Sequence, residues 1–172
     1  MLAQVYTYPK WSAVLRYFGA KPPYSPAKER LLREATRFSD TAESAAHLAL
    51  KDFVAANPHL LGIKAKVIET LVEHRLPSGD EIDVLFQLRD GCVAAEVKSQ
   101  TSSDGDLARG VFQCVKYEAL LNAVAKYDGK QMDVSAFLVL GGALPLEIRE
   151  LANVLGVSVV PNVMPSISAP VA

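Results

Sequence analysis

Three residues carry the chemistry open to this sequence: Asp83, Glu96 and Lys98. They lie in a stretch that reads as two extended segments, Asp80 to Leu88 and Cys92 to Lys98, joined by Arg89-Asp90-Gly91. β-Branched and apolar residues flank an Asp-Gly pair there, a strong hairpin signal. A turn centred on Asp90 and Gly91 makes Arg89 face Cys92, Leu85 face Glu96 and Asp83 face Lys98. Side chains alternate across a strand, so Asp83, Glu96 and Lys98 emerge on one face of the hairpin. Val84, Phe86, Leu88, Val93, Ala95 and Val97 emerge on the other, which is wholly apolar.

Two acids beside a lysine suit a hard divalent cation. Mg²⁺ takes oxygen ligands, commonly one or two carboxylates with waters and phosphate oxygens. Such an ion polarises a phosphodiester and lowers the pKa of a bound water. The lysine orients the nucleophile or neutralises charge developing on the phosphorus oxygens. The plainer reading is a surface strand with a cross-strand Asp–Lys pair, worth roughly 0.2–1 kcal/mol. Any Glu-x-Lys alone is usually that pair; the hairpin register and the added aspartate shift the balance towards function.

Asp83, twelve intervening residues and then Glu96-Val97-Lys98 resemble the core motif of the PD-(D/E)XK nuclease superfamily. The proline of that name is not adjacent to Asp83; Pro77 lies several residues earlier. The resemblance implies an α/β, restriction-endonuclease-like fold: an αβββαβ core whose mixed central sheet is flanked by helices. It further implies that Asp83 and Glu96, with the Val97 carbonyl, hold Mg²⁺ or Mn²⁺ while Lys98 assists the attacking water. The activity implied is metal-dependent hydrolysis of DNA, of repair, recombination or restriction type. The alternative is a module of the same fold that holds nucleic acid or protein without cutting.

Several elements must position these groups. A helix is expected from an Asp40 N-cap to Asn57, stopped by Pro58, with Glu43, His47 and Lys51 on one flank at four-residue spacing. Glu43 has two readings. It is a reciprocal cap, or, because this helix takes the place of the superfamily's first core helix, it is a further acid at the metal site. Val67 to Leu76 alternates as a strand, with Glu69 and Glu73 expected on a solvated face and His74 as an ordinary sheet histidine. Pro77-Ser78-Gly79 then turns the chain into Asp80.

The polar run Ser99 to Asp106 reads as a loop beside the site, in which Gln100 shares the Lys98 face if the strand persists. Asp106 is the expected cap of a long helix reaching Tyr127. Its sheet-facing stripe reads as Ala108, Val111, Phe112, Val115, Ala119 and Ala123, with Arg109, Gln113, Lys116 and Tyr117 on an adjoining polar arc. Gln113 and Tyr117 are similar to the Gln-x-x-x-Tyr motif of exonuclease-like branches of the superfamily. That similarity implies that they line the active site and contact DNA or support the metal-bound acids. Arg109 and Lys116 add positive charge for phosphates.

Val134 to Leu140 reads as a buried strand, Pro145 to Leu155 as a helix ended by Gly156, and Val157 to Val160 as a last strand. Three regions follow: an N-terminal helical extension over 1–39, a nuclease-like core over 40–160, and an irregular tail over 161–172. Half of the 172 residues are apolar, ample for one core. Eighteen basic against nineteen acidic residues leave net −1, so DNA binding must be local rather than a global basic field. Cys92 and Cys114 lack metal-ligand spacing and read as buried thiols. With neither a signal-peptide pattern nor a membrane-length apolar run, the chain is expected to be cytoplasmic and off the membrane. A homodimer or a protein partner using the N-terminal helices is the remaining partner expectation.

Overall fold

A computed structural model describes residues 45–165. The expected N-terminal extension, the Asp40 cap and Glu43 lie outside the described residues. Helix α1 (Ala45–Ala56) is closed by Asn57, whose side-chain amide donates to the Phe53 carbonyl at 2.8 Å, and by a short 3-10 turn at Pro58–Leu61. Then come β1 (Glu69–Arg75), β2 (Glu81–Gln87), β3 (Gly91–Lys98), α2 (Asp104–Tyr127), β4 (Asp133–Leu140), α3 (Leu146–Leu155) and β5 (Ser158–Val160). The strands form one five-stranded sheet in the order β1-β2-β3-β4-β5. β1, β2 and β3 run antiparallel, whereas β4 and β5 continue parallel to β3. This is the αβββαβ order of a restriction-endonuclease-like α/β core with a mixed sheet.

Both sheet faces are covered. Leu50 and Val54 of α1 pack with Val84, Phe86, Val93, Ala95, Val97 and Val139 on one side. On the other, α2 and α3 bury Leu107, Val111, Cys114, Leu121, Ile148 and Leu155 against Leu85, Ala94, Ala136 and Leu138. The hairpin therefore has no open polar face; its acids sit within an apolar layer. Val163, beyond the last strand, is buried in the α1-side cluster, with its amide on the Leu140 carbonyl. The irregular tail thus still adds to the core at that residue.

The hairpin register differs from expectation by two residues. Gln87 pairs with Cys92, Leu85 with Ala94 and Val84 with Ala95, and the Leu88 amide donates to the Gly91 carbonyl at 2.9 Å. Arg89 and Asp90 form the turn, and Asp83 aligns with Glu96 instead of Lys98. Gly91 is spent elsewhere: a Cβ there would run into the backbone of Asp133, where β4 begins alongside. A shift of two leaves the faces unchanged, since the side-chain period is two. The stripe on α2 also differs. Leu107, Gly110, Cys114, Tyr117, Leu121 and Ala125 are buried with Ala108, Val111 and Val115, whereas Phe112 and Ala119 are only half-buried and Ala123 is exposed. The cap of α2 is Ser103, whose hydroxyl accepts from the Asp106 amide at 3.2 Å and donates to the Asp106 carboxylate at 2.7 Å.

Candidate active site

The site lies where β2 enters the sheet beside the carboxyl end of β3. β2 leaves both neighbours at Asp83. Its pairing with β1 runs through Val72–Val84 and His74–Ile82 but omits Glu73 and Asp83, and its pairing with β3 stops at Val84–Ala95. Ile82 belongs to the α2-side cluster and Val84 to the α1-side cluster, so the strand rotates at the residue between them. Freed from the ladder, the Asp83 carboxylate accepts the Val97 amide at 2.7 Å through Oδ2. Oδ1 lies 3.8 Å from Nε2 of His47 on α1.

Glu96 comes from β3 beneath α2 and is 3 % exposed. Lys98 Nζ stands 2.7 Å from its Oε1, and Tyr117 Oη lies 2.9 Å from its Oε2. The same phenol is 2.5 Å from the Glu81 carbonyl and accepts from Gln113 Nε2 at 3.3 Å. One phenolic proton faces two acceptors. That proton serves one of them at a time, the Glu81 carbonyl or the Glu96 carboxylate. Burial, then the negative charge of Asp83, raise the Glu96 pKa to about 7 against the pull of Lys98 and Tyr117. Burial lowers the Lys98 pKa, but Glu96, Asp83 and Asp106 outweigh it and keep the ammonium charged. Burial, followed by the charge of Glu96, raises the Tyr117 pKa, so it acts only as a neutral phenol.

Asp83, Glu96 and Lys98 thus converge, with Gln113 and Tyr117 behind Glu96. Arg109 and Lys116 are committed to acids, Arg109 to Asp106 at 3.1 Å and Lys116 to Asp80 in a short ion pair. Burial raises the Asp80 pKa, but Lys116 and Ser78 outweigh it and hold this carboxyl below its usual range. β3 ends at Lys98, so Gln100 is not a strand residue; it lies in the exposed turn, with its side chain against Gly142.

Sequence reasoning did not assign roles to His47, Lys51, Glu73 or Gly110. Glu69 and Glu73 are exposed, as expected, and Lys51 Nζ is 2.7 Å from Glu73 Oε1. Gly110 lets α2 close over the site, since a Cβ there would lie 3.2 Å from Lys98 Cε and 3.5 Å from Glu96 Cγ. A glycine inside an otherwise regular helix was the available signal for the last.

The donor chemistry fits a hard cation in part. Two carboxylates repel one another here, which a cation would relieve. Yet among the described residues no three His, Cys, Asp or Glu side chains gather closely enough to hold a metal.

No family model matches the chain, and no curated protein matches it. Among solved structures, it is similar to EndoMS in the EndoMS-dsDNA2 complex, at 17 % identity and a TM-score of 0.49. The match covers 75 % of this chain and 48 % of that one, so the chain spans about half that structure's length. No helix among the described residues is long and apolar enough to cross a membrane.

Proposed function

We propose that the protein is a metal-dependent nuclease that hydrolyses phosphodiester bonds in DNA. The observation that carries this reading is the convergence of Asp83, Glu96 and Lys98 where β2 parts from the sheet. Asp83 and Glu96, with the Val97 carbonyl and Glu43, are the residues to hold Mg²⁺ or Mn²⁺. When bound, such an ion supplies Lewis acidity and an activated water. Lys98 holds a proton-donating ammonium beside Glu96 and steadies the water or the phosphate oxygens. Tyr117 and Gln113 fix Glu96 from behind, and Gln113 Oε1, buried and without a hydrogen-bond partner in the protein, is an acceptor for substrate or water. Arg109, Lys116 and Gln100 are the candidates for gripping the DNA, the two cations by exchanging Asp106 and Asp80 for phosphate.

The test is cleavage of linear, branched and single-stranded DNA by purified protein with Mg²⁺ or Mn²⁺. Asp83→Ala and Lys98→Ala are each expected to lower the rate by about 10²-fold or more while the fold survives. Undiminished cleavage by the double variant would overturn the reading. A second reading is favoured by one observation, that both Glu96 oxygens already have protein partners. On that reading the domain binds nucleic acid or protein and does not cut; DNA binding with no turnover in either metal would select it.

A further inference from the structure

The rung missing from the sheet at Asp83 has its counterpart in β1. Glu73, which would face Asp83, is one of two non-glycine residues with positive φ among the described residues, at 54°. That left-handed conformation is unfavourable for a residue with a Cβ and persists only where its surroundings impose it. Its carboxylate is gripped at 2.7 Å by Lys51, whose side chain is 3 % exposed although Lys is among the residues least often buried. Lys51 stands one turn along α1 from His47, which faces Asp83.

We infer that the Lys51–Glu73 ion pair is a positioning strut: it holds β1 in its left-handed kink and keeps Asp83 out of the β1–β2 ladder, free to take the Val97 amide. A relaxed, extended Glu73 would restore the rung and draw the Asp83 backbone back into the sheet. The strut's value to catalysis rests on the proposed nuclease reading, but its geometric effect does not. Lys51 and Glu73 are positioning residues and touch no reacting atom.

Amide hydrogen exchange separates the two. Val97 donates to the Asp83 side chain, and Ala95, in the same strand, is the internal reference for overall stability. In Lys51→Met, Val97 is expected to exchange about tenfold faster relative to Ala95, the scale of one lost hydrogen bond. Adding Glu73→Gly is expected to restore slow exchange, because glycine adopts positive φ without the strut. Adding Glu73→Ala is not. The two double variants share Met at 51, so their comparison stands even if that change weakens the fold. Equal Val97 exchange in both double variants, or wild-type exchange in Lys51→Met, would overturn the inference. Wild-type protein that cuts no DNA would overturn the nuclease reading and leave the strut standing. If both hold, cleavage is expected to follow Val97 protection across the series.

Discussion

The fold makes the Glu96 carboxyl a weaker acid than it is in the unfolded chain. Its pKa rises from 4.5 to about 7, through burial first and the Asp83 charge second. The folded state therefore holds the proton more tightly than the unfolded chain. The stabilisation is full below about pH 4.5 and is lost as pH rises through about 7, on a scale of roughly 3 kcal/mol. Urea unfolding at pH 5, 6, 7 and 8 is expected to show stability falling across that window, with the fall removed by Glu96→Gln; a rise with pH attributable to this residue would refute the assignment. Tyr117→Phe leaves the Glu81 carbonyl and a Glu96 oxygen without the one donor they share, at a cost of about 1–3 kcal/mol. The phenol's hydrogen bond favours the carboxylate, so this variant is also expected to move the Glu96 midpoint upward in carboxyl-resolved NMR titration.

α2 works as a lid of fixed height, set by Gly110. On intrinsic propensity alone, alanine would stabilise the helix by about 1 kcal/mol. Against that, its Cβ would lie 2.7 Å from Leu138 Cδ1 and 3.2 Å from Lys98 Cε. Overpacking of that kind costs about 1–3 kcal/mol. Gly110→Ala is therefore expected to be neutral to destabilising by up to about 2 kcal/mol in chemical denaturation, the difference between those two terms. It is also expected to reduce cleavage at temperatures where the variant is fully folded, because α2 lifts off Glu96 and Lys98. On the opposite face, α1 supplies the apolar wall. Phe86→Ala, at a fully buried position in that layer, is expected to cost about 3–5 kcal/mol without altering the pH behaviour of Glu96.

For the molecule as a whole, the proposed nuclease reading couples metal binding to folding through the same carboxylate. A cation at Asp83 and Glu96 must displace the Glu96 proton, so affinity is expected to rise with pH through about 7. At pH 8 and a hundredfold excess over its dissociation constant, Mg²⁺ or Mn²⁺ is expected to stabilise the fold by about 2.7 kcal/mol. Thermal unfolding would show this as a raised midpoint at pH 8, much reduced at pH 5.5 and abolished in Asp83→Ala. A midpoint that ignores metal at both pH values would favour the non-cutting reading.

The order of elements was legible in the sequence because periodicity, Pro58, the Pro77-Ser78-Gly79 turn and Gly156 act locally. So was the placement of Glu96 and Lys98 on one face of β3 by alternation, whereas Asp83 sits where β2 leaves both neighbours and regular alternation breaks. What the sequence hid depends on partners distant along the chain. Gly91 read as a turn residue, but it is needed by the backbone of Asp133, more than forty positions on. Tyr117 read as part of a polar arc, but Glu81 and Glu96 satisfy its hydroxyl, so it can be buried. Lys51 read only as a member of a helix flank with Glu43 and His47, yet it is buried with its ammonium on the half-exposed Glu73. In each case local chemistry named what the residue was able to do, and only the packed fold decided which partner it met.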